Sequence, residues 1–353
     1  MKRAMLKRFA AWTLLGGLIV GPPMALAAVG SSALTAGDIP GVLLPKTQPV
    51  TGTLNSAEGQ VRDHVYRVEV PAGRRFWAVV KSKPDFDLYV FSSEASSVAG
   101  TVPALAYSEN ARSGIEWVRY RTKTDRTLYV DVCAFDGVGE YALTYGMPAK
   151  EMRFAASAPK QIDWAQAATI SGLATSASTG RGVSGVSVHL LERKRGASGY
   201  TFVSSKTSSK TGAVSFRVKP KLRTSYRLLA PGNSDYGLPA DPPALTIAPR
   251  ALVSTPTAPP RIKRDVAFRV SGTILPVHAT GVRSVRVYCE IEKKGAWVVA
   301  KKVWATNRTV SGKTVYEASV RLGKGRWRIT ARHPDDGDHA ASVSEGALIR
   351  TVK

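Results

Sequence analysis

Over most of this chain apolar and polar residues alternate with a period of two, the signature of strands with one face buried. The pattern predicts strands over Val65–Val70, Phe76–Lys81, Leu88–Phe91, Trp117–Arg121, Leu128–Ala134 and Tyr141–Tyr145. Pro71-Ala72-Gly73 and Asp136-Gly137-Val138-Gly139 supply turn chemistry between them. Ser92 to Gly114 is rich in Ser, Ala and Gly and reads as a long loop or irregular edge. No segment beyond the N-terminus shows helical periodicity, so the expected class is all-β.

The second half of the chain repeats itself at a spacing of about one hundred residues. Ile170-Ser171-Gly172 returns as Val270-Ser271-Gly272. Val186-Ser187-Val188-His189-Leu190 answers Val285-Arg286-Val287-Tyr288-Cys289, each followed by a charged turn, Glu192-Arg193-Lys194-Arg195 and Glu292-Lys293-Lys294. An aromatic strand follows in both copies, Tyr200-Thr201-Phe202-Val203 and Ala296-Trp297-Val298-Val299. Later, Ser225-Tyr226-Arg227-Leu228 parallels Arg326-Trp327-Arg328-Ile329. Self-similarity at this length means two tandem domains of one fold. Short strands and turns at this density are the immunoglobulin-like sandwich pattern.

Asp85-Phe86-Asp87-Leu88-Tyr89-Val90-Phe91, with Asp63-His64-Val65-Tyr66 upstream and Thr127-Leu128-Tyr129-Val130 and Gly139-Glu140-Tyr141-Ala142 downstream, resembles the bacterial pre-peptidase C-terminal domain. That resemblance covers roughly residues 38–146. It implies a secreted, jelly-roll-like β-sandwich of the kind appended to exported peptidases. Ser171-Gly172, Thr179-Gly180-Arg181-Gly182 and Thr211-Gly212 in turn resemble landmarks of bacterial Ig-like and carboxypeptidase-regulatory-like modules. The expected organisation is a signal peptide at 1–27, a pre-peptidase-like sandwich at 28–147 and a linker at 148–164. An Ig-like domain at 165–250, a Pro-rich linker at 251–262 and a second Ig-like domain at 263–353 complete it.

Lys2, Arg3, Lys7 and Arg8 precede an apolar stretch and the small-residue site Ala25-Leu26-Ala27, which reads as a secretory signal cut after Ala27 rather than a membrane anchor. A secreted, extracellular protein is expected, held non-covalently at the cell wall if at all, and acting as a monomer. Charge then separates the domains. Residues 28–160 carry 15 Lys and Arg against 14 Asp and Glu, 161–250 carry 12 against 4, and 251–353 carry 19 against 8. Most of the formal charge of +24 therefore lies in the Ig-like tandem, whose field attracts polyanions. Outside a cell the polyanions on offer are wall polymer, acidic polysaccharide, anionic membrane and extracellular DNA; anionic wall polymer or polysaccharide is the expected partner, with no specific nucleic acid implied. Cys133 and Cys289 each sit in a strand pattern and read as buried thiols; a disulfide between domains is the alternative.

The chain lacks the spacings that signal catalysis: no H-E-x-x-H, no G-x-S-x-G, and no Gly-rich phosphate loop after a strand. A non-enzyme without cofactor is expected. The cluster His333-Pro334-Asp335-Asp336-Gly337-Asp338-His339 offers metal-ligating groups but reads more simply as a turn-rich loop. Asp85, Asp87, Asp131, Asp136 and Glu140 raise calcium as a possibility for the first domain, because some collagen-binding relatives of the pre-peptidase fold bind it. Candidate ligand-binding residues are Trp77, Trp117 and Arg119 in the first domain and Arg193, Lys194, Arg195, Lys293 and Lys294 in the tandem. Rings beside guanidinium groups suit sugar and polyanion surfaces. The reading is a non-catalytic binding or adhesion protein of the bacterial envelope; the alternatives are an accessory to a secreted peptidase encoded elsewhere and a plain structural spacer.

Overall fold

The computed structural model describes residues 37–110 and 113–353. The expected signal segment lies outside the described residues. Among the described residues every regular element is a strand, so the protein is all-β. They divide into two compact units, one holding the chain up to Lys150 together with Pro231–Gly237, the other Glu151–Ala230 with Leu238–Lys353.

The first unit contains β1 Val42–Leu43, β2 Val50–Asn55, β3 Asp63–Val70, β4 Arg75–Ser82, β5 Asp85–Ser92, β6 Ala106–Ser108, β7 Ile115–Arg121, β8 Arg126–Asp136 and β9 Val138–Gly146. A five-stranded sheet, β1-β3-β8-β5-β6, faces a four-stranded one, β2-β9-β4-β7. Tyr66, Val68, Leu88, Val90, Val130 and Val132 from the first meet Phe76, Ala78, Val80, Val118 and Leu143 from the second in one core. Alternation alone implies that the opposite faces are wet, but here they are not. Val65, Tyr89, Phe91 and Cys133 turn outward and pack under Ala95 and Val98, so the loop after Ser92 is a cover with its own small core. This is why Leu88–Phe91 is buried without interruption. Cys133 and Cys289 are free, buried thiols, and no disulfide joins them.

The second unit begins with β10 Lys150–Ser157, β11 Gln161–Asp163, β12 Ala168–Ser176, β13 Ser187–Lys194, β14 Thr201–Thr207, β15 Ala213–Val218 and β16 Thr224–Leu229. After β17 Tyr236–Gly237, which lies in the segment assigned to the first unit, come β18 Leu245–Arg250 and β19 Leu252–Val253. The second repeat supplies β20 Ala267–Leu275, β21 Val285–Lys293, β22 Ala296–Val310, β23 Lys313–Arg321, β24 Gly325–His333, β25 Ser342–Val343 and β26 Leu348–Val352. In the first repeat β15-β12-β10 opposes β11-β18-β16-β13-β14. In the second, one long strand serves both layers: β22 pairs β21 through Ala296–Ala305 and β23 through Thr306–Val310. Both are Ig-like sandwiches.

Two expected linkers are structured. Residues 148–164 contain β10, antiparallel to β12, and β11, parallel to β18. Residues 251–262 contain β19 on β20 and a bridge from Thr257 to Ser271, with Ala251 and Val253 buried. Of these, β11 and β19 lie at sheet edges, where only one side needs ladder hydrogen bonds and proline nearby is tolerated, so they lack a central strand's composition. The repeated glycine now has a reason. A Cβ on Gly172 would meet the Phe154 ring at 2.5 Å, and one on Gly272 would meet the Tyr316 hydroxyl at 2.3 Å. In both copies an aromatic side chain lies across the glycine. Gly272→Val should therefore lower unit stability by about 1–3 kcal/mol, read as a drop in urea midpoint. An unchanged midpoint would show that Tyr316 moves aside freely.

Candidate functional site

In the second repeat the pleat sorts side chains cleanly. Val285, Val287 and Cys289 of β21, Ala305 of β22 and Trp327, Ile329 and Ala331 of β24 point into the core. Their neighbours must point out. Cross-strand register then sets Trp304 beside Arg286 beside Arg332, and Lys302 beside Tyr288 beside Thr330. A bulge between Cys289 and Glu290 keeps the scheme going toward Glu292, which sits opposite Trp297.

The outward face is a set of rings clasped by cations. Arg286 lies 5.3 Å from the Trp304 ring centre; Arg332 and Lys302 lie 4.2 and 5.4 Å from Tyr288. Arg328 and Arg326 lie 5.2 and 5.6 Å from Trp297. Glu290 and Glu292 hold Arg328 and Arg326 at 2.5 and 2.9 Å. Five cations therefore meet two carboxylates, leaving the face positive. From the Trp304 row to the Trp297 row is six residues of β21, or about 20 Å of extended strand. Such a face can stack planar apolar groups and pair anionic ones.

The first repeat carries the same device in smaller form. Arg193 and Arg227 lie 4.9 and 4.7 Å from the Tyr200 ring. Arg227 corresponds to Arg328 and Tyr200 to the Trp297 strand, so ring and guanidinium recur together. Of the sequence candidates, Arg193 thus lies at a ring. Lys194 instead pairs with Glu192 at 3.3 Å and Arg195 with Asp338 at 3.1 Å. Lys293 and Lys294 are exposed on the β21–β22 turn. Tyr200, Arg227, Tyr288, Trp297, Trp304 and Arg332 were missed as a site; the readable signal was a ring opposite a cation at alternating positions of adjacent strands.

The first unit corrects one expectation. Trp77 is 7 % exposed, and its ring fills the space over Gly146 and Gly232, so it serves packing and is not offered to a ligand. Arg119 pairs across from Trp77 and half-buried Trp117 across from Val79. The five carboxylates weighed for calcium are spread along β5, β8 and β9, and among the described residues their oxygens do not gather into one donor group. Asp87 has another character. Burial, with Glu116, Glu109 and Asp85 nearby, pushes its carboxyl up to about 7. Glu116, itself raised by burial, is held by Ser108, by Ser113 at 2.7 Å and by Asn110. The one group of histidine and carboxylate donors that converges among the described residues is His278, Asp336 and His339, with donor atoms within 4.8 Å of one another.

No family model matches the chain, and no characterised protein matches it in sequence. Among solved structures, trypsin-activated alpha-2-macroglobulin from Escherichia coli aligns with a TM-score of 0.24 and 11 % identity, over 82 % of this chain and 23 % of that one. The FN1–FN3 domains of chicken CNTN1 align with a TM-score of 0.23 and 11 % identity, over 82 % of this chain and 97 % of theirs. This chain spans less than a quarter of the alpha-2-macroglobulin it aligns with.

Asp87 generates a prediction. The folded protein keeps its proton up to about pH 7, whereas the unfolded chain loses it near the ordinary carboxylate value. The folded state then binds more protons, so this group's contribution falls as pH rises from about 4 to 7. Asp87→Asn removes that slope. Between pH 5 and 8 the variant should gain on the order of 2 kcal/mol relative to wild type in chemical denaturation. Parallel curves would contradict the assignment.

Proposed function

We propose that this chain is an exported, non-catalytic binding protein whose Ig-like tandem associates with anionic polymer of the cell envelope. The observation that carries this reading is the outward face of β21, β22 and β24, where three rings lie against five cations. An acidic polysaccharide presents carboxylates along a chain whose sugar faces are apolar enough to stack. A ring flanked by guanidinium groups meets both features at once. The positive balance of residues 251–353 adds long-range attraction that weakens with salt. The first unit, with Trp117 and Arg119 on β7, would contact a polysaccharide or protein partner beside it.

The test is retention of the whole chain on immobilised polygalacturonate across a salt gradient. Tyr288→Ala combined with Trp297→Ala should weaken binding about tenfold or more, since each ring contact is worth roughly 0.5–2 kcal/mol. Lys293→Ala with Lys294→Ala, at the turn and clasping none of the rings, should shift elution only slightly. Equal losses in both variants would leave charge alone as the cause; no retention of wild type at low salt would end the proposal.

A further inference from the structure

The loop expected to be an ordinary turn places three imidazoles around one carboxylate oxygen. Asp336 Oδ2 lies 3.3 Å from His333 Nε2, 3.4 Å from His339 Nδ1 and 3.7 Å from His278 Nε2. The rings crowd together, with centres 5.2, 5.7 and 6.1 Å apart. His333 is fully enclosed and His339 nearly so. Neither nitrogen of His333 has a hydrogen-bond partner, and neither does Nε2 of His278. Buried polar atoms without partners are costly unless something else satisfies them.

The surroundings aim the lone pairs inward. The Nδ1–H of His278 donates to the Pro276 carbonyl at 2.8 Å; a carbonyl only accepts, so Nε2 of that ring is the bare nitrogen. The His278 backbone is held in turn by Thr314, through N–H to Oγ1 at 2.8 Å and the hydroxyl to its carbonyl at 3.1 Å. On the other side, Asp336 Oδ1 accepts the backbone N–H groups of Asp338 at 2.9 Å and His339 at 2.7 Å. That occupies one oxygen and turns Oδ2 toward the rings.

We propose that His278, Asp336 and His339, the donors that converge, bind one divalent transition ion of the zinc class, with His333 beside them against the same Asp336 oxygen. Donors at about 2.0–2.1 Å from such an ion, arranged tetrahedrally, stand about 3.3 Å from one another. The carboxylate–imidazole separations match that edge, and imidazole donors suit zinc rather than calcium or magnesium. The same loop holds the two Ig-like repeats together. Arg223 reaches Asp335 at 2.5 Å and the Gly337 carbonyl at 2.8 Å, its N–H bonds the Asp338 carbonyl, and the Ala340 N–H bonds the Pro249 carbonyl. The ion would fix this loop and, through it, the junction between the repeats.

The experiment uses the whole untagged chain, stripped of metal by chelator, and titrates it first with cobalt(II) and then with zinc. Cobalt should give the intense visible bands of tetrahedral coordination at one equivalent per chain, and zinc should displace it. Asp336→Asn, which keeps the oxygen that accepts both backbone N–H groups, should weaken zinc binding by more than about tenfold. His278→Gln provides a second, independent loss. Amide exchange at Arg223 and Ala340 should slow when zinc is added. A weak octahedral spectrum, or an affinity unchanged in both variants, would overturn the site. Binding without slower exchange would overturn the role at the junction.

Discussion

The pleat of a β-strand decides two surfaces at once, and in the second repeat everything depends on that coupling. With Val285, Val287 and Cys289 committed to the core, Arg286 and Tyr288 have no choice but to face outward. The register with β22 and β24 then chooses their neighbours. A one-residue slip would bury Arg286 and Arg332 and expose the valines, a cost the apolar core does not permit. The cation–ring face is therefore fixed by the same interactions that hold the sandwich closed. Binding chemistry on such a surface needs no separate scaffold.

Duplication extends the argument. Gly172 and Gly272 sit at matching places under an aromatic side chain, and Arg227 and Arg328 each lean on a ring from the neighbouring hairpin. The copies differ where they meet. The loop from His333 to His339 gathers three histidines and reaches back to Arg195 and Arg223, whereas the matching loop of the first repeat, Pro231–Gly237, belongs to the first unit.

Fold class and repeat were legible because period-two alternation and turn residues are local signals. Strands β12 and β15 alternate buried and exposed positions almost without fault. Strands β11 and β19 escaped because each is three residues or fewer at a sheet edge, among prolines that made 148–164 and 251–262 resemble linkers. Trp77 was misjudged for a different reason. Alternation tells which residues share a face but not whether that face is covered, and here Gly146 and Gly232 leave room that its ring fills. The histidine cluster escaped for a third. His278 is far from His333 in sequence, and only the packing of the loop before β21 against the end of β24 brings them together. Ordinary turn residues at 335–338 hid a set of donors whose meaning is purely spatial.

Hydroxyl-radical footprinting of the whole chain with and without saturating polygalacturonate most directly tests whether the cation–ring face is the binding surface. The rings of Tyr200, Tyr288, Trp297 and Trp304 should be oxidised in the free protein and protected together by the polymer, while buried Trp77 stays unreactive in both. If those four rings react equally with and without bound polymer, the face is a solvated exterior and polymer attachment lies elsewhere.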